Sequence, residues 1–470
     1  MNTPIFHKLL QFQKEDRYPF HMPGHKRRLS NEISGEMFSW DITEIDGFDE
    51  LHDPSGIILD SMEELREFYG TRKTWYLVNG SSSGNMAAIG AAFLPGDTIL
   101  LGRNCHKSVY QAVELFGLKP VYLYPDYESS LSMYGGIDPE KVEKLLDETG
   151  DIKGVFLTSP TYEGVVSDIK AISQICRKKG VLLLVDEAHG AHFPFSDYFP
   201  ESAVRKGADL VIQSLHKTLA VPNQGALLHL CSDRVEEERV RKYQSMFQTT
   251  SPSYVLLASM EYGIAHGRIE QQLWREYETM LEVYRAKWVN ELKNLHLVKK
   301  EDFKNSHVYD YDKGKLVIST KDGNLTGKEL SEKLLFSYYL QMEMSEKSYF
   351  IAMTSYLDTK EGFQRLDDAL CRIDKRMEPK EKQEIYIEPV SCEQVLIPHI
   401  AVNQKKKWID FDRAEGQIAG DYVYLYPPGS PILVPGEKIN AKVLEKIQEY
   451  LYNNMEIKGL SKHQLCILES

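Results

Sequence analysis

The chain carries a carboxylate and a lysine in matching local contexts. Asp186, in VDEAHG (185–190), stands directly after the apolar run VLLLV (181–185). Lys217 ends SLHK (214–217), just after ADLVIQ (208–213). Short runs rich in Val, Ile and Leu read as strands buried on both faces of a parallel sheet. Both groups are therefore expected at strand C-terminal ends, where open α/β sheets form their ligand crevice. A lysine can form an imine with an aldehyde, and a carboxylate can hold a pyridine nitrogen protonated. Those are the two needs of pyridoxal phosphate, whose cationic ring accepts the electrons of a bond broken at Cα. Taken singly, Asp186 is most simply a helix cap and Lys217 a surface charge; their placement at neighbouring strand ends favours the chemical reading.

A phosphate needs a cradle, and NGSSSGN (79–85) lies between the apolar run WYLV and the helical stretch MAAIGAAF. A hydroxyl-rich turn opening a helix offers backbone N–H groups, side-chain hydroxyls and the positive helix end to an anion. Read alone it is a flexible loop with a serine cap. RNCHKS (103–108) follows the run TILL and brings His106, suited to stacking on a ring or to acid–base work. TSPTYEG (158–164) brings Thr158, Thr161 and Tyr162 as hydrogen-bond donors. Four successive strand ends thus carry polar motifs, which scattered structural loops rarely do.

The elements that must hold these groups read as follows. From Gly70 to Leu230, the runs TILL (98–101), VYLY (121–124), GVFLT (154–158), VLLLV, ADLVIQ and GALLHL (225–230) alternate with helical patterns such as 138–148 and 167–179. That alternation predicts an α/β fold, a mainly parallel sheet flanked by helices. A long amphipathic pattern covers 268–295, with Ile269, Leu273, Met280, Tyr284, Trp288 and Leu292 on one stripe. The reading divides the chain into an N-terminal segment 1–69, a large domain 70–290 and a smaller α+β C-terminal part 291–470. The latter holds strands KLVIST and YVYLY and a helix over 437–451, and the basic run Lys405–Lys407 reads as a solvated loop.

Bulk properties narrow the classes. A chain of 470 residues is expected to form more than one compact unit. No secretory signal is visible in MNTPIFHKLLQFQKEDRYPF, and no apolar stretch reaches a membrane span, so a cytoplasmic protein with no membrane partner is expected. The six cysteines have no metal-type spacing and read as free thiols, and no metal site is expected. The net charge of −13 disfavours a nucleic-acid partner and mildly favours a cationic small molecule.

HMPGHK (21–26), ELHDPSGI (50–57), NGSSSGN, RNCHKS, PTYEGV (160–165), VDEAHG and SLHK occur in that order. With TTSPSY (249–254) and YPPGSPILVPGE (426–437), they closely resemble the Orn/Lys/Arg decarboxylase family over almost the whole chain. The resemblance implies the aminotransferase-like fold type I of pyridoxal-phosphate enzymes. It implies α-decarboxylation of lysine, arginine or ornithine to an amine of polyamine metabolism. It also implies roles. Lys217 would be the Schiff-base lysine, Asp186 the partner of the pyridinium nitrogen, and Ala188 and His106 the groups on the two ring faces. Ser82, Ser83, Ser214 and His216 would hold the phosphate, and His189 would lie beside the ring. His216 or Lys217 would return the proton to Cα. Thr250 or Ser251 would reach a neighbouring subunit's site in a homodimer or higher homo-oligomer, and Glu437 would sit near the substrate's distal cation. HMPGHK begins at residue 21, so the N-terminal wing domain of the large inducible enzymes is not expected. The turn carries serines where the family more usually has threonine, which keeps the hydroxyl chemistry.

Two other readings stay open at this stage. An aminotransferase or aldolase-type lyase of the same fold would anchor the α-carboxylate with an arginine, for which Arg365 and Arg413 are candidates. A catalytically inactive, polyamine-binding regulator would have no need of Lys217, Asp186 and the phosphate turn together.

Overall fold

The computed structural model describes residues 17–21, 24–26, 40–379, 390–425, 429–452 and 455–469. Most of the first 39 residues, with Met22 and Pro23 of HMPGHK, and Tyr426, Pro427 and Pro428 of the C-terminal motif lie outside the described residues.

Seven strands form the main sheet: β1 (Lys73–Leu77), β2 (Thr98–Gly102), β3 (Lys119–Leu123), β4 (Ile152–Thr158), β5 (Leu182–Asp186), β6 (Leu210–Gln213) and β7 (Ala226–Leu230). Their order is β1-β7-β6-β5-β4-β2-β3. Neighbours from β6 to β3 pair in parallel, whereas β7 is antiparallel to both β6 and β1. The sequence reading of a mainly parallel sheet holds, and two features are added. The run before the serine turn is itself the edge strand β1, and GALLHL runs against the others.

The strands are apolar because helices cover the sheet. These include α1 (Ile57–Tyr69), α2 (Gly80–Ala92), α3 (Lys107–Leu115), α4 (Pro139–Thr149) and α5 (Ile169–Lys179). The ends of α4 and α5 are set by their caps. Asp138 accepts from the Glu140 N–H ahead of Pro139, Asp168 accepts from the Ala171 N–H, and Gly180 closes α5 at φ 72°. A four-residue helix α6 (Leu215–Thr218) follows β6, and α7 (Glu237–Phe247) follows β7.

The long pattern over 268–295 proves to be two helices, α8 (Tyr254–Ile269) and α9 (Gln271–Glu291). The break puts Ile269 in solvent, 76% exposed, and turns α9 so that Trp274, Tyr277, Leu281 and Trp288 are its buried line. The expected stripe therefore keeps Trp288 but not Ile269. The main core continues past residue 290, through Leu297, Leu316 and Ile318 to Phe363.

A second, antiparallel sheet contains β8 (Lys315–Ser319) and β9 (Tyr349–Met353), flanked by His296–Leu297 and Met344–Ser345. Helices α10 (Gly327–Tyr338) and α11 (Lys360–Asp374) accompany it. Residues 411–467 build a separate core around α12 (Ala441–Tyr452). There the basic run is not a loop. Lys406 and Lys407 begin β10 (Lys406–Asp410), which pairs with β11 (Gln464–Leu468) while remaining largely exposed.

The start of the chain is tied beneath Lys217. The Gly24 N–H donates to the His216 carbonyl at 2.8 Å, and a Cβ on Gly24 would meet the Thr218 carbonyl carbon at 2.6 Å. Only a glycine brings the two backbones that close. Ser355 Oγ donates to the Gly24 carbonyl, and buried Lys26 donates to the carbonyls of Pro19, His21 and Met353. Among the described residues no helix is long and apolar enough to cross a membrane.

Candidate active site

A cavity of about 1190 Å³ opens along the C-terminal ends of the main-sheet strands and reaches the small sheet and α12. Asp186, the last residue of β5, stands in register between Thr158 of β4 and Ile212 of β6. Its Oδ2 accepts from Asn85 Nδ2 at 2.9 Å and its Oδ1 from the Ala188 N–H at 3.0 Å. Those two donors hold the carboxylate toward the cavity. Lys217 reaches the same space from α6. Burial pulls its amine below the usual lysine range, while the charges of Asp186 and Glu343 pull it back up. The neighbouring acid of VDEAHG, Glu187, faces away. It accepts from Ser202, Gln213 and the Ala203 N–H, and burial raises its carboxyl to about 7.

The anion cradle forms where β1 turns into α2. Gly80 adopts φ 74° and donates its N–H to the Gln224 carbonyl at 3.0 Å. The positive φ makes the sharp turn, and Asn79 gives the helix no side-chain cap. The first N–H groups of α2 therefore keep their capacity for a ligand. Ser81 and Ser82 line the cavity. Ser83 does not: its hydroxyl donates to the Gly80 carbonyl inside the helix at 2.8 Å. Ser214, fully buried, reaches the cradle through a 2.8 Å bond to Ser81 Oγ. Three adjacent serines give a sequence reader no means of telling which one a helical turn points inward, and Ser81 was missed for that reason.

The histidines are neutral and differ in what their free nitrogen can do. His106 caps α3, its Nδ1 accepting from the Ser108 N–H, and burial lowers its pKa to about 4. It presents an uncharged flat ring. His216 is also lowered to about 4 by burial; its Nδ1 lies 2.9 Å from the Gly225 carbonyl and so carries the proton. Its Nε2 can then accept a proton but has none to give an anion. His189 packs against Tyr162, ring centroids 4.6 Å apart, and stands between Lys217 and Lys315. Ala188, at 6% exposure, lines the cavity between these groups.

The far wall is densely charged. Glu163, Glu343, Glu346 and Glu449 line it with Lys321, Lys347 and Lys446, and Lys347 pairs with Glu449 at 3.0 Å. Tyr349 donates to Glu163 at 2.9 Å and Tyr162 donates to Glu343. Burial, then the nearby Glu163 charge, raises Glu346 to about 8. Glu343 was legible only as a lone acid in the apolar stretch LQMEM, and Lys315 gave no sequence signal.

Besides Ser83, two further predicted residues lie away from the cavity. Glu437 is fully buried behind the cavity wall, where it pairs with Arg103 and accepts from the Val434 N–H. Its carboxylate is taken up by that guanidinium. Thr250 is exposed on the surface and does not line the cavity. Arg365 and Arg413 are also absent from the lining; Arg103 is the arginine on it among the described residues. Its two terminal nitrogens are engaged by Tyr110, the Pro431 and Ile432 carbonyls and Glu437, while its Nε is buried without a partner among the described residues.

The donor set fits pyridoxal phosphate. Lys217 would bind the aldehyde carbon, Asp186 the ring nitrogen, and the start of α2 with Ser81 and Ser82 the phosphate.

Comparison with known proteins agrees with this chemistry. The family profile described as Orn/Lys/Arg decarboxylase, major domain, matches residues 3–333, and the profile of the C-terminal domain of the same family matches 380–459. An arginine decarboxylase of Halalkalibacterium halodurans is 32% identical over 470 residues, covering 97% of this chain and 95% of the relative. The solved lysine decarboxylase LdcF of Francisella novicida superposes with a TM-score of 0.79 at 21% identity, covering 99% of this chain and 81% of its own. A solved structure of SPT with PLP aligns with a TM-score of 0.58 at 14% identity, over 77% of this chain and 88% of its own.

Proposed function

The chain belongs to the Orn/Lys/Arg decarboxylase family of pyridoxal-phosphate-dependent enzymes, and from that premise we propose that it releases carbon dioxide from arginine in preference to lysine or ornithine. The cofactor supplies an electron sink for the bond broken at Cα. The rest falls to the residues of this chain. Lys217 supplies the amine that attaches the cofactor and, once displaced into the same cavity, is the candidate to return a proton to Cα. Asp186, fixed by Asn85 and the Ala188 N–H, keeps a positive charge beside it. The neutral ring of His106 offers a stacking face without adding charge.

The observation that carries decarboxylation over transamination is the state of Arg103. The arginine on the cavity wall has its guanidinium engaged by Glu437 and three other oxygens. Among the described residues the α-carboxylate then meets no arginine clamp, and a group that must depart gains nothing from being held in the ground state. Glu163 and Glu343 on the far wall suit the distal cation, and a planar guanidinium favours paired carboxylate oxygens. Full-length similarity to an arginine decarboxylase supports arginine as the occupant.

Agmatine would be the product, and polyamine formation its use. The exposed segment around Thr250 and Ser251 is read as the surface that meets a second copy in a homodimer, and the cytoplasm as the compartment. Carbon dioxide release with purified protein and added cofactor tests the substrate, with arginine, lysine and ornithine compared at equal concentration. Faster release from lysine than from arginine would overturn the arginine assignment while leaving the reaction intact.

A further inference from the structure

His189 is flanked by a lysine on each ring nitrogen. Lys217 Nζ lies 3.0 Å from Nε2, and Lys315 Nζ lies 2.7 Å from Nδ1. Lys315 is 1% exposed and His189 5%. Lys315 begins β8, nearly a hundred residues from SLHK, and no step described above uses it.

The three groups cannot hold their protons independently. A neutral imidazole offers one N–H and one lone pair, an imidazolium offers two N–H groups, and an ammonium offers only N–H. Two ammonium groups on a neutral ring would set one N–H against another in a buried place. An imidazolium would need both amines neutral. Either way, the row Lys217–His189–Lys315 is satisfied with at most one positive charge. The surroundings decide where that charge rests. Lys315 is faced by Asp312, Glu343 and Glu163, with Lys217 as the opposing cation. Asp312 is 1% exposed and its Oδ2 has no hydrogen-bond partner. Lys217 is faced by Asp186 and Glu343, and both oxygens of Asp186 already accept from Asn85 and Ala188. The neighbouring rings of His106 and His216 are neutral and add no charge.

The geometry points to Lys315 as a positioning residue: its ammonium donates to His189 Nδ1, which fixes the proton on Nε2, and that N–H donates to Lys217 Nζ and keeps it a neutral amine. A neutral amine is the form that attacks an aldehyde. Amine and aldehyde combine to imine and water, both amine hydrogens leaving in the water, so no base is needed to strip Lys217 first. The inference rests on Lys217 being the attachment lysine, and its test does not depend on the amino acid decarboxylated.

The experiment uses cofactor-free full-length protein and formaldehyde with a borohydride reductant, scoring Lys217 methylation against pH by peptide mass spectrometry. The wild-type midpoint should fall well below the ordinary lysine value of about 10.4. Lys315→Met frees Nδ1 to take the proton, leaves Nε2 to accept from an ammonium, and removes the opposing cation. The midpoint should rise by about one pH unit or more, with labelling at pH 7 slowed about tenfold. Lys315→Arg keeps the charge and the donor, and should stay within about 0.3 of wild type. His189→Phe keeps the ring without the relay and should also raise the midpoint, which carries the test if Lys315→Met does not fold. The ¹⁵N spectrum of His189 should show the Nε2–H tautomer in wild type. Midpoints unchanged in both Lys315→Met and His189→Phe would overturn the relay. Borohydride reduction of the loaded wild type that tags a lysine other than Lys217 would instead defeat the attachment reading.

Discussion

The two ends of the cavity are built by different rules. At the main-sheet end, each functional group follows its strand within a few residues: Asp186 ends β5, Lys217 is four residues beyond β6, and Ser81 and Ser82 follow β1. The sheet register does the aligning, and a short motif is enough to fill each position. At the small-sheet end, Glu163, Lys315, Glu343, Glu346 and Glu449 come from segments spread over nearly 300 residues. Only Glu163 lies in a motif, PTYEGV; the other four are marked by none, and tertiary folding brings them together. The first end is placed to run a chemistry shared by many substrates, while the second is placed to choose among them.

If that division holds, changes at the two ends should fail differently. Lys217→Ala removes the attachment point, and kcat should fall by at least about 10³-fold, with loss of the visible lysine–cofactor absorbance. Persistence of that absorbance in the variant would sink the assignment. Asp186→Asn keeps the shape and loses the charge. Steady-state kinetics should show kcat down about 10²-fold with little change in KM.

At the other end, Glu163→Gln should raise KM for arginine about tenfold, roughly 1.4 kcal/mol, with kcat nearly unchanged. An equal loss in kcat would erase the division between the ends. Glu346 gives the pH version. Its carboxyl is raised to about 8, so it is neutral below that pH and anionic above it. KM for a cationic substrate should therefore fall as pH rises through 8, and in Glu346→Gln that fall should be missing.

Stability, rather than turnover, should respond to an acid outside the cavity. Glu187 has a folded pKa of about 7 against an ordinary 4.5. The folded state then holds the proton more tightly than the unfolded state. Stability is full below pH 4.5, declines as pH rises toward 7, and levels off above, a loss of about 3 kcal/mol across the window. Glu187→Gln should remove that slope, so thermal midpoints of the two proteins should converge at low pH and differ by several degrees at pH 8. Parallel curves would contradict it.

The same contrast explains what could be read without coordinates. The places of Lys217, Asp186, His106 and the serine turn at the cavity were legible because an apolar run announces a strand and the next residues inherit its end, whereas Ala188 and Ser82 came from the family resemblance. Ser83 was misplaced, and Ser81 and Asn85 overlooked, because helical phase within one turn is not written in three serines. The expected stripe on α9 borders the buried line, with Leu273, Met280, Tyr284 and Leu292 partly buried against the core, and only Ile269, before the break at Glu270, falls outside it. Lys315 was invisible. It is a charged residue opening a strand, and only the fold brings it within 2.7 Å of His189. Glu437 was read from its motif, yet Arg103, 334 residues away, occupies its carboxylate.

The tie beneath Lys217 has a consequence for biosynthesis. Gly24 is made first, but its carbonyl waits for Ser355, 331 residues later. At the usual 5–20 residues per second, that wait lasts roughly 20 to 60 s on the ribosome. The main sheet and the Gly24–His216 bond can form in that interval, whereas the Ser355 clasp on Gly24 cannot. The last-made third of the protein thus finishes a tie that Gly24 begins, and a nascent chain stopped before residue 355 lacks that clasp beneath Lys217.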